Sequence, residues 1–220
     1  MKNTPDLPSI FAHDVKHYVM IAEELLQNLT PIKEHEKVKA KLKRTLKKIL
    51  LETNSVLLAS KFEAGLLKAA PLNLMLNEIV AECIEDISVL FESAERKIQF
   101  LPDESLEEIA VDPALFPNLL NNLLDNALKY GAPLSPVIVE TSGKGGATTL
   151  RITSTGPELT KEEMAKLFQP FERGSNSVGK SGSGIGLYIV RLIAEAHGAT
   201  ARIVESERGK TVFEVVFKAS

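Results

Sequence analysis

The sequence predicts an α+β chain, a helical hairpin followed by a mixed sheet with helices packed on one face. Three observations predict it. Between Pro8 and Leu67 stand one glycine, Gly65, and one interior proline, Pro31, among long runs of good helix formers. From about Ala70, short β-branched runs alternate with amphipathic stretches. The composition, 44% hydrophobic and 25% charged, is that of a chain able to bury a core.

Pro31 divides the first region into helices over about 7–29 and 33–65. In the first, Phe11, Val15, Tyr18, Ala22, Leu25 and Leu29 recur at alternating steps of four and three, a coiled-coil-like seam. Leu42, Leu46, Ile49, Thr53 and Val56 repeat the pattern in the second. Two such helices bury too little alone, so the expected solution is a four-helix bundle built by two chains, a homodimer. Residues 33–48 carry eight Lys or Arg against two Glu, either a solvated face or a docking surface for an acidic partner.

The second region reads as a helix over Leu72–Glu92, strands near Lys97–Leu101 and Ile109–Val111, and a helix from Pro113 to Tyr130. Strands follow at Val137–Thr141 and Thr148–Thr153, then helices at Lys161–Leu167 and Ile185–His197. Ala201–Glu205 and Val212–Phe217 close the chain as a hairpin about Arg208-Gly209-Lys210. The expected domains are residues 1–67 and 70–220.

Several classes are excluded. A single cysteine, Cys83, rules out a disulfide framework or a multi-cysteine metal cage. No apolar run reaches the ~18–20 residues that cross a bilayer, and Met1–Pro8 lacks a signal-peptide core. A net charge of −3 argues against general nucleic-acid binding. The expectation is a cytoplasmic chain without a membrane segment.

Three segments carry chemistry. In Asn121-Asn122-Leu-Leu-Asp125-Asn126-Ala-Leu-Lys129-Tyr130, the side chains of Asn122, Asn126 and Lys129 share one helical stripe. A carboxamide oxygen is a hard donor suited to Mg²⁺, and a lysine suits phosphate oxygens, although a solvated face has the same composition. Next come a strand and tight turn, Ile152-Thr153-Ser154-Thr155-Gly156-Pro157-Glu158-Leu159, and then Gly182-Ser183-Gly184-Ile185-Gly186-Leu187 opening a helix. Glycines ahead of a helix N-terminus let backbone N–H groups approach phosphate. Between them lies Phe168-Gln-Pro-Phe171-Glu-Arg173-Gly174, followed by a polar stretch to Ser181 that reads as a lid.

In this order, residues 71–220 resemble the catalytic ATP-binding domain of two-component sensor histidine kinases, of the GHKL ATPase superfamily. Asn122–Tyr130 matches the N box, Ser154–Leu159 the first glycine box and Phe168–Phe171 the F box. Gly182–Leu187 matches the second glycine box and Gly209-Lys210-Thr211 the last. The resemblance implies a Bergerat-type α/β sandwich that takes ATP and Mg²⁺. Asn126 would ligate the metal with support from Asn122, and Lys129, Tyr130 and Lys180 would contact nucleotide. Ser154, Gly156, Phe171, Gly182, Gly184, Gly186, Leu187 and Thr211 would line the site. Two positions depart from the pattern: Ser154 replaces the family's adenine-binding Asp, and Glu158 replaces a glycine.

Phe11-Ala12-His13-Asp14-Val15-Lys16-His17 likewise resembles the family's H box. At ~100° per residue, His13 lies roughly 200° around the helix from Phe11, away from the seam. The resemblance implies autophosphorylation of His13 and transfer to an aspartate on a response regulator receiver domain. A neutral imidazole, with a free pKa of about 6.5, is already a nucleophile near pH 7. Asp14 would accept the Nδ1 proton and direct Nε2 outward, and Lys16 is a weaker candidate for balancing phosphate charge. His17 stands where the family has a Thr or Asn that orients a dephosphorylating water. His197, in Ala-His-Gly at a helix end, reads as a cation suited to a helix C-terminus. Two other readings compete. A non-kinase GHKL ATPase would need a water-activating Glu where Asn122 stands, and a phosphorelay dimer would carry a weakened ATP site. Between Met1 and His13 there is no room for a sensor domain, so the expectation is either a truncated chain whose upstream sensor domain is missing or a sensorless protein that takes its signal from a partner chain.

Overall fold

The computed structural model describes residues 19–22, 24, 35–91, 97–175, 182–207 and 209–218. The H box, most of the first expected helix and Lys180 lie outside the described residues. The chain divides into two compact units, residues 1–60 and 61–220.

In the first unit, Val19–Ala22 is helical and α1 begins, running over His35–Glu63. Thr45, Thr53 and Ser55 sit inside α1 because each hydroxyl donates to the carbonyl four residues back, at 3.0, 2.8 and 2.9 Å. Leu46 and Leu57 stay half exposed. The helix ends on a C-terminal clasp, with Gly65 N–H donating to Phe62 O and Leu66 N–H to Lys61 O, both at 2.8 Å.

The second unit runs β1 (Leu72–Leu74), α2 (Leu76–Phe91), β2 (Ile98–Leu101), β3 (Ile109–Val111), α3 (Phe116–Tyr130), β4 (Val137–Lys144) and β5 (Ala147–Thr155). It continues with α4 (Lys161–Lys166), α5 (Gly186–Ala196), β6 (Thr200–Glu207) and β7 (Lys210–Lys218). One expected boundary is corrected. Leu72–Leu74 is a strand, and the helix starts only at Leu76. Pro71 forces extended backbone before it, and pairing Leu72 with Val111 and Leu74 with Ile109 satisfies the peptide groups that a helix start would leave open.

The main sheet has the order β2-β4-β5-β7-β6, parallel between β2 and β4 and antiparallel elsewhere. Period-two alternation sends Val137, Val139, Leu150, Ile152, Phe213, Val215 and Phe217 to one buried face. There α3 packs on β4 and β5, and α5 packs on β6. The opposite face carries Glu214, flanked across the ladder by Arg151 and Arg202 at 2.6 Å each. Burial alone would raise the Glu214 carboxyl, but the two guanidiniums hold it below the ordinary value.

Candidate functional site

The site is built at one end of α3 and α5. The apolar stripe of α3, Phe116, Leu119, Leu120, Leu123, Leu124, Ala127 and Leu128, is buried, which leaves Asn122, Asn126 and Lys129 on a half-buried stripe beside it. Asn122 is fixed by its own helix: Nδ2 donates to Asn118 O at 2.7 Å. Its Oδ1 then faces the start of α5 so closely that a Cβ on Gly186 would stand 2.9 Å away. A larger residue there would have to displace the Asn122 amide. Lys129 Nζ lies 5.3 Å from the centroid of the Tyr130 ring and against Gly182, in the space a side chain at 182 would fill.

The turn before α5 is locked to the Phe168–Phe171 segment. Phe171 N–H donates to Gly184 O at 3.1 Å, and both residues have positive φ, +66° and +75°. A Cβ on Gly184 would meet the Phe171 carbonyl carbon at 2.9 Å and the Glu172 oxygen at 3.1 Å, so only glycine fits. Left-handed backbone at a phenylalanine is costly, and such strain persists where surrounding structure enforces it. The α5 residues Gly186 and Leu187 supply first-turn N–H groups, while the Leu187 side chain is buried in the core.

The remaining segments meet at the end of the sheet. Gly156 N–H donates to Gly209 O at 2.8 Å, and Ala132 N–H to Thr155 O. Ser154 pairs with Thr211 across β5 and β7, and both are 7% exposed. Thr211 Oγ1 is 3.1 Å from Ser206 Oγ, which in turn accepts the Leu159 N–H at 2.9 Å. Ser154, Thr211 and Ser206 thus form a row of hydroxyls across three strands. Among the described residues no cluster of His, Cys, Asp and Glu is arranged to hold a metal.

Three features were not anticipated. Ser206 completes the hydroxyl row, and only the register of β6 on β7 reveals it. Glu163 closes a capping box with Thr160 and also accepts the Ser175 N–H at 2.8 Å, tying α4 to the stretch beyond the Phe171 turn. The Ser175 and Thr160 N–H groups draw its carboxyl down to about 2. Asp112 caps the turn that leads into α3 and donates its own N–H to His197 Nε2 at 2.9 Å. The expected cationic role of His197 is therefore corrected. Its Nε2 accepts and its Nδ1 donates to Ile193 O at 2.7 Å, the arrangement of a neutral ring.

His13, Asp14, Lys16, His17 and Lys180 lie outside the described residues. Among the other expected residues, the structure pairs Asn122 with Gly186, Lys129 with Gly182, Phe171 with Gly184, Gly156 with the Tyr130 carbonyl and Ser154 with Thr211, while it sets Asn126 on the same stripe as Asn122 and buries Leu187.

Residues 111–220 match the family model described as histidine kinase-, DNA gyrase B-, and HSP90-like ATPase. The sensor histidine kinase CusS of Escherichia coli O157:H7 is 30% identical over 145 residues, covering 65% of this chain and 30% of that protein. Other curated relatives are matched over 17% to 32% of their own length. The Acinetobacter baumannii histidine kinase AdeS superposes with a TM-score of 0.68 at 17% identity, over 94% of this chain and 98% of that one. Histidine kinase ThkA, solved in complex with response regulator protein TrrA, gives 0.62 at 17% identity, over 95% of this chain and 60% of that one. At such identities the structural likeness is one of fold.

Proposed function

Because the chain belongs to the histidine kinase-, DNA gyrase B- and HSP90-like ATPase family, we propose that it is the catalytic core of a protein-histidine kinase. In this reading ATP binds between α3 and the turn before α5, and its γ-phosphoryl group passes to His13. From there it passes to an aspartate of a response regulator receiver domain. The observation that carries the reading is the meeting of distant motifs. The ends of the Asn122 and Lys129 side chains on one helix lie against Gly186 and Gly182 of another segment, in the space that a Cβ at either glycine would enter.

Each residue's part follows from its chemistry. The N–H groups of Gly186 and Leu187 and the Lys129 ammonium supply positive potential for phosphate oxygens. Ser154 and Thr211 offer hydroxyls to the base, and Gly156 lets that end of β5 lie against Tyr130. Asn126, one turn beyond Asn122, would hold Mg²⁺ through its amide oxygen with Asn122 in support. An ion bound chiefly by phosphate oxygens and water needs no more protein ligands than these. When bound, the metal neutralises charge on the phosphates. In the transfer, an N–P bond forms at His13 Nε2, the bond from the γ-phosphorus to the bridging oxygen breaks, and ADP leaves. Asp14 takes the Nδ1 proton, and Lys16 balances the phosphate charge. Lys180 would contribute its ammonium to the phosphates. Leu46 and Leu57, half exposed on α1, support pairing of the N-terminal helices with those of a second copy.

Incubation with labelled ATP and Mg²⁺ tests this. Label should be lost in acid, as phosphohistidine is, map to His13 at neutral pH, and vanish in His13→Gln. Full labelling of that variant would sink the assignment. A second reading, a phosphorelay or scaffold dimer with a weakened ATP site, is favoured by one observation: Ser154 offers a neutral hydroxyl where the family has a carboxylate. Nucleotide binding without labelling of His13 would support it.

A further inference from the structure

At the ends of α3 and α5 away from the glycine turns, several chain segments converge on one buried carboxylate. Asp112 is 7% exposed. Its Oδ1 accepts the N–H groups of Ala114 and Leu115 at 2.8 and 3.1 Å, and its Oδ2 accepts that of Ala70 at 2.7 Å. Its own N–H reaches His197 Nε2, and His197 Nδ1 reaches Ile193 O in the last turn of α5. The His197 ring stands edge-on to Phe217, with centroids 6.3 Å apart, so it is held by packing as well. Burial would raise the Asp112 carboxyl, yet the three N–H bonds from Ala70, Ala114 and Leu115 keep it below its ordinary value.

We propose that Asp112 is a positioning residue for the nucleotide site. It fixes the first turn of α3 and, through His197, the last turn of α5 in one alignment, and Ala70 ties that alignment to the chain arriving from α1. The inference rests on the nucleotide-site reading above. The two helices meet again at Asn122 and Gly186, where a Cβ on the glycine would stand 2.9 Å from the Asn122 amide oxygen. From Phe116 to Asn126 is about 15 Å of helix at 1.5 Å per residue. Close-packed helices do not absorb a shift at one end over that length; they carry it to the other. One carboxylate serves both the α3 cap and the Ala70 strap. If Ala70 is drawn away, either the strap bond is lost or Asp112 follows and the cap loosens.

Coupling between sites is reciprocal. If the strapped alignment favours nucleotide, nucleotide must favour the strap. The test is amide hydrogen exchange on the whole chain, with and without saturating Mg²⁺ and ADP. Exchange at Ala70 should slow about tenfold, within the usual range of such couplings. The complementary variant is Ala70→Pro, which removes the one N–H donor and leaves Asp112, the α3 cap and His197 in place. Residue 70 precedes Pro71, so its backbone is already biased to the extended region that proline shares. Ala70→Pro should raise the KM for ATP about tenfold while leaving kcat within about twofold, and Ala70→Gly, which keeps the donor, should restore it. Protection of the Gly156 and Gly186 amides by ADP with no change at Ala70 would overturn the proposal, even if Ala70→Pro failed to fold. So would native KM in Ala70→Pro. ADP that protects no amide would overturn the nucleotide-site reading itself, and this proposal with it.

Discussion

Replacing Ser154 by aspartate asks how the proposed base end of the site works. Ser154 is 7% exposed, opposite Thr211 in the ladder, with Ser206 next in the row. A carboxylate there would accept hydrogen bonds from the exocyclic amino group of adenine and from the Thr211 hydroxyl. A charge-assisted bond exceeds a neutral one by about 1 kcal/mol, so ATP should bind about fivefold more tightly to Ser154→Asp. Base choice should sharpen as well. A serine hydroxyl donates or accepts, so it can meet the amino group of adenine or the O6 carbonyl of guanine, whereas an ionised carboxylate only accepts. The native protein should therefore prefer ATP over GTP by less than about tenfold, and the variant by about tenfold more, a buried unpaired acceptor pair costing ~1–3 kcal/mol. Without nucleotide the new charge is buried beside the Thr211 hydroxyl. The melting temperature should fall by about 2–4 °C for each kcal/mol lost, and recover when ATP is added. Calorimetric titration with both nucleotides and thermal melts read all of this. Weaker ATP binding in Ser154→Asp, at native stability, would refute the reasoning and point to an ordered water that Ser154 holds in a geometry the carboxylate breaks.

Gly184→Ala should destabilise the fold by about 1–3 kcal/mol in denaturant titrations, because its Cβ would press on the backbone of Phe171 and Glu172 at positive φ. Gly186→Ala meets only the end of the Asn122 side chain, so it should cost stability less and weaken nucleotide binding more in parallel titrations. Glu163, drawn down to about 2 from an ordinary 4.5, contributes stability that is complete above about pH 4.5 and is lost as pH falls towards 2. Unfolding curves for Glu163→Gln should therefore depend less on pH across that window than those of the native protein. Dephosphorylation of a phosphorylated regulator, followed with ADP present, should be slow with native His17 and faster with His17→Asn; brisk native loss abolished by His17→Ala would show His17 to be a working residue.

Most of the sheet and its covering helices was legible in the sequence because those segments are long and periodic enough to bury one face. The α3 stripe from Phe116 to Leu128 and the alternation of β7 are of this kind. β1 was not legible, since three residues carry no period and their pairing with β3 lies more than thirty positions away. The candidate site divides in the same way. Asn122, Asn126 and Lys129 share a stripe by spacing alone, but the pairing of Asn122 with Gly186 is a packing fact. Asp112 had a local sign, an Asp-Pro pair ahead of an apolar helix, which marks a cap. Its bond to His197 spans 85 positions and had none. The neutral ring of His197 follows from that bond, where local reasoning about a helix C-terminus expects a cation.

The departure from the family pattern at Ser154 bears on the choice between the kinase and relay readings. Phosphoryl chemistry in this reading depends on the close seats of Gly186 on Asn122 and Gly182 on Lys129, and on the lock between Phe171 and Gly184. The first two are close approaches of a side-chain end to a glycine, the third is a backbone contact at positive φ, and each is in place. Ser154 lies instead in the hydroxyl row with Thr211 and Ser206, where a substitution changes which base is held and how tightly, while the phosphate end keeps its geometry. A loss confined to the base end lowers affinity by the worth of about one hydrogen bond, roughly 1 kcal/mol, and millimolar ATP covers a fivefold rise in the dissociation constant for a site of ordinary micromolar affinity. In the kinase reading, the departure at Ser154 therefore alters nucleotide selectivity ahead of abolishing the site.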